Sequence, residues 1–124
     1  MARILIIDDE ELVRLTLVQA LESSGHVVTE AANGRDGVRQ FGAEPYDLVI
    51  TDILMPDQEG IQTIMELRKL KPDLKIVAIS GGGRINTTDF LMVAKRLGAD
   101  ATLKKPFQLA ELFRVVDTCL GGTA

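Results

Sequence analysis

The run Arg3-Ile-Leu-Ile-Ile7 gives way at once to Asp8-Asp9-Glu10-Glu11, and that boundary sets the architecture. A short segment, mostly β-branched and apolar on both sides, is what a parallel strand covered by helices on each face requires. The abrupt turn to acid marks its carboxyl end. Tyr46-Asp-Leu-Val-Ile-Thr51 and Lys75-Ile-Val-Ala-Ile79 have the same character. Val27-Val-Thr-Glu-Ala31 and Ala101-Thr-Leu-Lys104 are shorter or more polar, which predicts edge strands.

Between these segments the apolar spacing changes from two to about 3.6. Val13, Leu17, Ala20 and Leu21 share one helical face, with Gly25 placed as a C-terminal cap. Gly34 to Gly42 is a weaker helix, bounded by glycines and holding a third. Ile61, Ile64, Met65 and Leu67 to Leu70 form another, stopped by Pro72. A further helix is expected from about Thr88 to Leu97, ending at Gly98. The last carries Leu109, Leu112, Phe113, Val116 and Leu120 before Gly121-Gly122. Five β-α units in succession predict an α/β fold, a three-layer doubly wound sandwich with right-handed crossovers. Ligands of such sheets bind outside the carboxyl ends of the strands.

The 124 residues, 46% hydrophobic and 26% charged, suit one domain over 1–124 and exclude a disordered or low-complexity chain. No apolar run approaches bilayer-spanning length, and no charged leader precedes an apolar stretch, so a cytoplasmic location is expected. The net charge of -4 argues against direct nucleic-acid contact without a local basic patch. Cys119 is the only cysteine, which rules out an internal disulfide or a cysteine zinc cluster and leaves a space-filling role. Arg68, Lys69 and Lys71 read as a solvated helix end, and His26 as an exposed loop residue.

The strand ends carry the chemistry. Asp8 and Asp9 follow the first strand, Asp52 the third, Ser80 the fourth and Lys105 the fifth. Carboxylates forced together repel unless a cation intervenes, and a hard, oxygen-liganded ion such as magnesium is the natural one. Helix capping explains Asp8 or Asp9 singly, but not Asp52 as well. Asp52, between apolar neighbours and beside a cation, is placed to attack phosphorus and form an aspartyl phosphate. Lys105 would offset the transferred charge and Ser80 would donate a hydrogen bond. Gly81-Gly82-Gly83 lacks the spacing and lysine of a nucleotide loop.

Together, Asp8-Asp9, Asp52 with Met55-Pro56 and Gly60, Ser80, and Lys105-Pro106-Phe107 resemble the receiver domain of two-component response regulators, across essentially the whole chain. The resemblance implies a flavodoxin-like, five-stranded parallel sheet in order 2-1-3-4-5 with five helices. It also implies that Asp52 accepts a phosphoryl group from a sensor histidine kinase, a phosphotransfer protein or a small phosphodonor. Asp9, Asp52 and the Leu54 carbonyl would bind magnesium, with Asp8 acting through water. Ser80 would swing towards the phosphoryl group and Lys105 would pair with it. The result is a signalling switch rather than a turnover enzyme. Its output face is built from the fourth strand, the helix over 88–97 and the fifth strand, and phosphorylation-linked homodimers are a further expectation.

The chain departs from the family pattern in three places. Thr102 stands where the family's aromatic switch residue usually does, so coupling must run through the loop and helix after Ser80. That loop looks a few residues longer than usual. Leu54 and Gly82 cannot orient an attacking water, so self-dephosphorylation is expected to be slow. No output domain is expected within 1–124. The competing reading is a phosphorylation-independent, receiver-like interaction module; an aspartyl phosphatase or a flavin-binding domain fits the acidic first loop poorly.

Overall fold

Alternate side chains of strand β1 (Arg3–Ile7) divide the core into two layers. The computed structural model describes residues 2–53, 59–80, 92, 95–96 and 98–121, with only the backbone at Glu59 and Ser80. Ile4 and Ile6 pack with Leu48, Ile50, Val77, Ile79 and Leu103, whereas Leu5 and Ile7 pack with Val49, Ile76 and Ala78. The first layer is closed by helices α1 (Glu11–Ser23) and α4 (Leu109–Cys119), through Leu17, Ala20, Leu21, Leu112 and Val116. The second is closed by α2 (Gly34–Ala43) and α3 (Glu59–Leu70), through Val38, Phe41, Ile64 and Leu67.

The remaining strands are β2 (Val27–Ala31), β3 (Leu48–Asp52), β4 (Lys75–Ser80) and β5 (Ala101–Lys104). All pairings are parallel, in the order β2-β1-β3-β4-β5, so the expected doubly wound α/β sheet and its edge strands are present. Four helices lie among the described residues. The fifth, expected over 88–97, falls mostly outside them, although Met92, Lys95 and Arg96 are helical. The register aligns the strand ends: Ile7 lies opposite Ala31 and Thr51, Asp52 opposite Ile79, and Ser80 opposite Lys104. The strand order reverses between β1 and β3, which places a crevice outside the carboxyl ends of these two strands.

Local chemistry explains the boundaries. Gly25, at φ +92°, takes the left-handed conformation that closes α1, and its N–H donates to the Glu22 carbonyl at 3.0 Å. The Asn33 side chain caps α2 by accepting from the Asp36 N–H at 2.8 Å. That helix has a weak apolar pattern yet seats closely because Gly37 leaves room for the Ile7 side chain.

Several expectations are corrected. β3 begins at Leu48 rather than Tyr46; Tyr46 is buried ahead of the strand and stacks on Phe41 with ring centroids 6.1 Å apart. Met65 and Leu70 lie outside the core, so α3 buries a narrower stripe than its apolar content suggests. His26 is half-buried and its Nδ1 accepts the Ala2 N–H at 3.1 Å, tying the chain start to the α1–β2 turn. Arg68 is no solvated cation. Its guanidinium donates to the carbonyls of Pro72, Leu74 and Gly98 and pairs with Asp100 at 3.1 Å, joining α3 to the entry of β5. Cys119 is buried as expected; burial pushes its thiol pKa up, Asp100 adds to that, and Lys75 opposes it.

Candidate functional site

Four acids converge at the crevice. One carboxylate oxygen from each of Asp8, Asp9, Glu10 and Asp52 lies within 4.8 Å of the others. Asp8 and Asp52 are buried; Asp9 and Glu10 are exposed. Asp8 leaves β1 with its N–H on the Ala31 carbonyl at 3.2 Å, and its Oδ1 accepts the Glu10 N–H at 2.8 Å. Arg14 of α1 donates to the Asp8 carbonyl at 2.7 Å while bonding Glu30 at 3.0 Å, which braces the turn from outside. Asp52 ends β3, and the Ile53 N–H donates to the Ile79 carbonyl at 2.9 Å, so the nucleophile candidate stands on a fixed backbone.

Lys105 enters from the far edge of the sheet. It follows β5 and precedes a cis bond to Pro106. Its ammonium lies 3.0 Å from Asp8 Oδ2, 2.9 Å from Glu10 Oε1 and 3.0 Å from Asp52 Oδ2. Burial works against its charge, but the Glu10 hydrogen bond and the charges of Asp52 and Asp8 outweigh it, holding the ammonium above its usual range. One cation cannot balance this many acids. Burial raises the Asp8 carboxyl to about 6; the Asp52 charge adds to that, and the Glu10 N–H and Lys105 only partly relieve it.

That imbalance has a measurable sign. Between about pH 4 and pH 6 the folded chain keeps a proton on Asp8 that the unfolded chain has released, so stability falls as pH rises through this window. The expected loss is about 3 kcal/mol in metal-free buffer. Urea unfolding at pH 4, 5, 6 and 7 should show this slope in the native chain and its absence in Asp8→Asn. Parallel pH profiles of the two proteins would refute the assignment to Asp8.

The structure thus unites Asp8, Asp9, Asp52 and Lys105, as the strand ends predict. Ser80 ends β4 at the same rim, opposite Lys104, with its backbone alone described. Leu54, Gly82 and the glycine loop lie outside the described residues. Sequence reasoning missed Glu10 as a partner of Lys105. Its only trace is the third acid of the run, and connecting it to Lys105 needs the strand order. An acidic set of hard oxygen donors around a carboxyl that resists ionisation fits a small divalent cation.

The model of the family described as the response regulator receiver domain matches residues 4–117. The chain belongs to that family. This receiver is 39% identical over 119 residues to the DNA-binding transcriptional regulator NtrC of Azospirillum brasilense, covering 96% of the chain and 24% of NtrC. It is 36% identical over 125 residues to the response regulator receiver protein CpdR of Brucella abortus (strain 2308), covering 97% of the chain and 98% of CpdR. A crystal structure of a response regulator receiver domain protein from Clostridium thermocellum superposes with a TM-score of 0.88 at 29% identity, over 98% of this chain and 95% of that one. The receiver therefore spans about a quarter of one relative and nearly all of another. Among the described residues no helix is long and apolar enough to cross a membrane.

Proposed function

We propose that this receiver accepts a phosphoryl group on Asp52, with magnesium, from a sensor histidine kinase, a phosphotransfer protein or a small phosphodonor. One observation supports this above the rest: a buried carboxylate held 3.0 Å from a lysine ammonium inside a four-acid cluster. An Asp52 oxygen forms the new bond to phosphorus as the bond to the donor atom breaks, and the donor leaves with that electron pair. Lys105 already stands beside Asp52 and balances charge on the incoming oxygens without reorganising. Asp9, Asp52 and the Leu54 carbonyl would hold magnesium, with Asp8 supporting through water. When bound, the ion offsets charge on the transferring phosphoryl oxygens.

The acquired group carries roughly two negative charges and three acceptor oxygens, which would draw Ser80 inward and bias the loop before the helix over 88–97. The output face would be β4, that helix and β5. Thr102 is half-buried in β5 opposite Ala78, so no aromatic ring reports the change at that position. Phosphoryl ends on the chain's own Asp52, so the receiver is a switch rather than a turnover enzyme. A groove of about 680 Å³ runs from Lys105 and Glu10 along Leu12, Val13, Pro106, Phe107 and Leu109. Leu12 and Leu109 are exposed there, and the groove's continuity with the acceptor rim suits a histidine-bearing donor protein with an apolar helical face.

The test is intact mass after incubation with acetyl phosphate, with and without magnesium, for the native chain and Asp52→Asn. One phosphoryl adduct that needs magnesium and is lost in the variant is expected. A folded native chain that takes up no adduct under any condition would overturn the proposal in favour of a phosphorylation-independent interaction module.

A further inference from the structure

We infer that Arg14 is a positioning residue for the magnesium site: it holds the acidic turn in the shape that presents Asp9 to the ion. The inference rests on the proposed magnesium reading of the acid cluster. The Asp9 side chain is exposed, so packing does not orient it and its two peptides must. Both peptides are held. The carbonyl of the Asp8–Asp9 peptide accepts from Arg14 Nη1 at 2.7 Å, and the N–H of the Asp9–Glu10 peptide donates to Asp8 Oδ1 at 2.8 Å. Arg14 also grips the far side of the turn, where its main-chain N–H donates to the Glu10 carbonyl at 3.1 Å. One residue of α1 therefore holds the carbonyls on either side of Asp9.

The guanidinium is itself fixed from the edge of the sheet. Its Nε donates to Glu30 Oε1 at 3.0 Å, and Glu30 lies on β2 opposite Ile6. The Arg14 side chain is only 14% exposed despite its charge. Two donors in a rigid plane meet two acceptors on different segments, a geometry that the single ammonium of a lysine does not reproduce. A partly exposed ion pair adds little stability, so what Glu30 supplies is direction. Charge alone would act the other way. A cation beside the acids repels a dication, and by Coulomb's law its removal would tighten magnesium binding. The sign of the effect separates positioning from charge.

Magnesium chloride is titrated by calorimetry into the native chain, Arg14→Met, Arg14→Lys and Arg68→Met at one ionic strength. Urea unfolding in chelator shows which of them are folded. Arg14→Met is expected to bind magnesium about three to ten times more weakly, at or below the loss typical of groups bonded directly to a metal ligand. Arg14→Lys keeps the charge and should fall between that variant and the native chain. Arg68→Met also removes a guanidinium bonded to carbonyls and a carboxylate, but one that joins α3 to the entry of β5. It should lose stability and keep native affinity. Equal or tighter binding in Arg14→Met would overturn the inference while the magnesium site stands. Native affinity in Arg14→Lys would do the same, and that variant decides the matter if Arg14→Met does not fold. An equal loss in Arg68→Met would trace the effect to general loosening and overturn it too. A folded native chain that binds no magnesium would overturn the site reading and the role of Arg14 with it.

Discussion

Lys105→Met should lower the unfolding free energy by about 3 kcal/mol at pH 7 in metal-free buffer, and magnesium should return most of the loss. Methionine replaces the aliphatic stem, so the change isolates the charge. Two of the three carboxylates that Lys105 contacts are buried, and removing one partner of a buried pair leaves the other charge uncompensated. The lysine pKa is raised in the folded chain, so its contribution is complete below the unfolded value and is fully present at neutral pH. Without it the Asp8 carboxyl, already near 6, must rise further. The deficit is therefore largest above about pH 7 and shrinks on acidification, as the carboxyls take up protons. Thermal melts of both proteins at pH 5 and pH 8, with chelator or with magnesium, read these effects. A deficit equal at both pH values and indifferent to magnesium would show that Lys105 acts through packing alone.

The magnitude places the site in the scale of the fold. One fully buried Leu or Ile contributes roughly 1.5–3 kcal/mol, so the acid cluster without its cation spends about what one core side chain supplies. Asp8 sits in that cluster at the end of β1, directly after four buried aliphatic residues, Ile4 to Ile7, on the same strand. The strand that anchors both layers also fixes the carboxylate, which lets the core hold a charge arrangement that is unfavourable by itself.

The same strand shows what a sequence reveals. Ile4 to Ile7 are legible because a parallel strand covered on both faces leaves no polar position, and the acid that follows must lie at its carboxyl end. Asp52 and Lys105 follow by the same logic at β3 and β5, so most of the site is local information read at strand ends. What resisted reading depends on distance across the fold. Lys105 meets Glu10 only because β1 and β5 lie in one sheet with β3 and β4 between them, and a long lysine stem spans the gap. Arg68 looked like one of several cations at a helix end. Its four partners come from the turn before β4 and from Gly98 and Asp100, which no helical periodicity connects. Tyr46 has strand propensity but lies buried ahead of β3, stacked on Phe41.

Gly60→Ala should cost at least about 3 kcal/mol and loosen the acceptor rim as well. Helix propensity alone predicts the reverse, since alanine is favoured over glycine by about 1 kcal/mol inside a helix. Space decides against it. A Cβ at Gly60 would collide with the Asp52 carbonyl oxygen and the Ile53 Cα, with the Ile53 carbonyl carbon only 2.9 Å away. These are backbone atoms and cannot rotate aside, so α3 would have to move off β3. The strand residue so displaced is Asp52, the proposed phosphoacceptor. Gly37 provides the internal comparison, because a Cβ there meets only side-chain atoms, the Cδ1 and Cγ1 of Ile7. Gly37→Ala should therefore cost less and recover in part when Ile7 is shortened to valine, which removes Cδ1, whereas no side-chain change at the rim should rescue Gly60→Ala. Urea unfolding of the two variants, followed by acetyl phosphate labelling below their midpoints, separates the cases. A Gly60→Ala chain of native stability and native labelling would mean that α3 slides freely on β3, and that contact between helix and strand does not hold Asp52 in place.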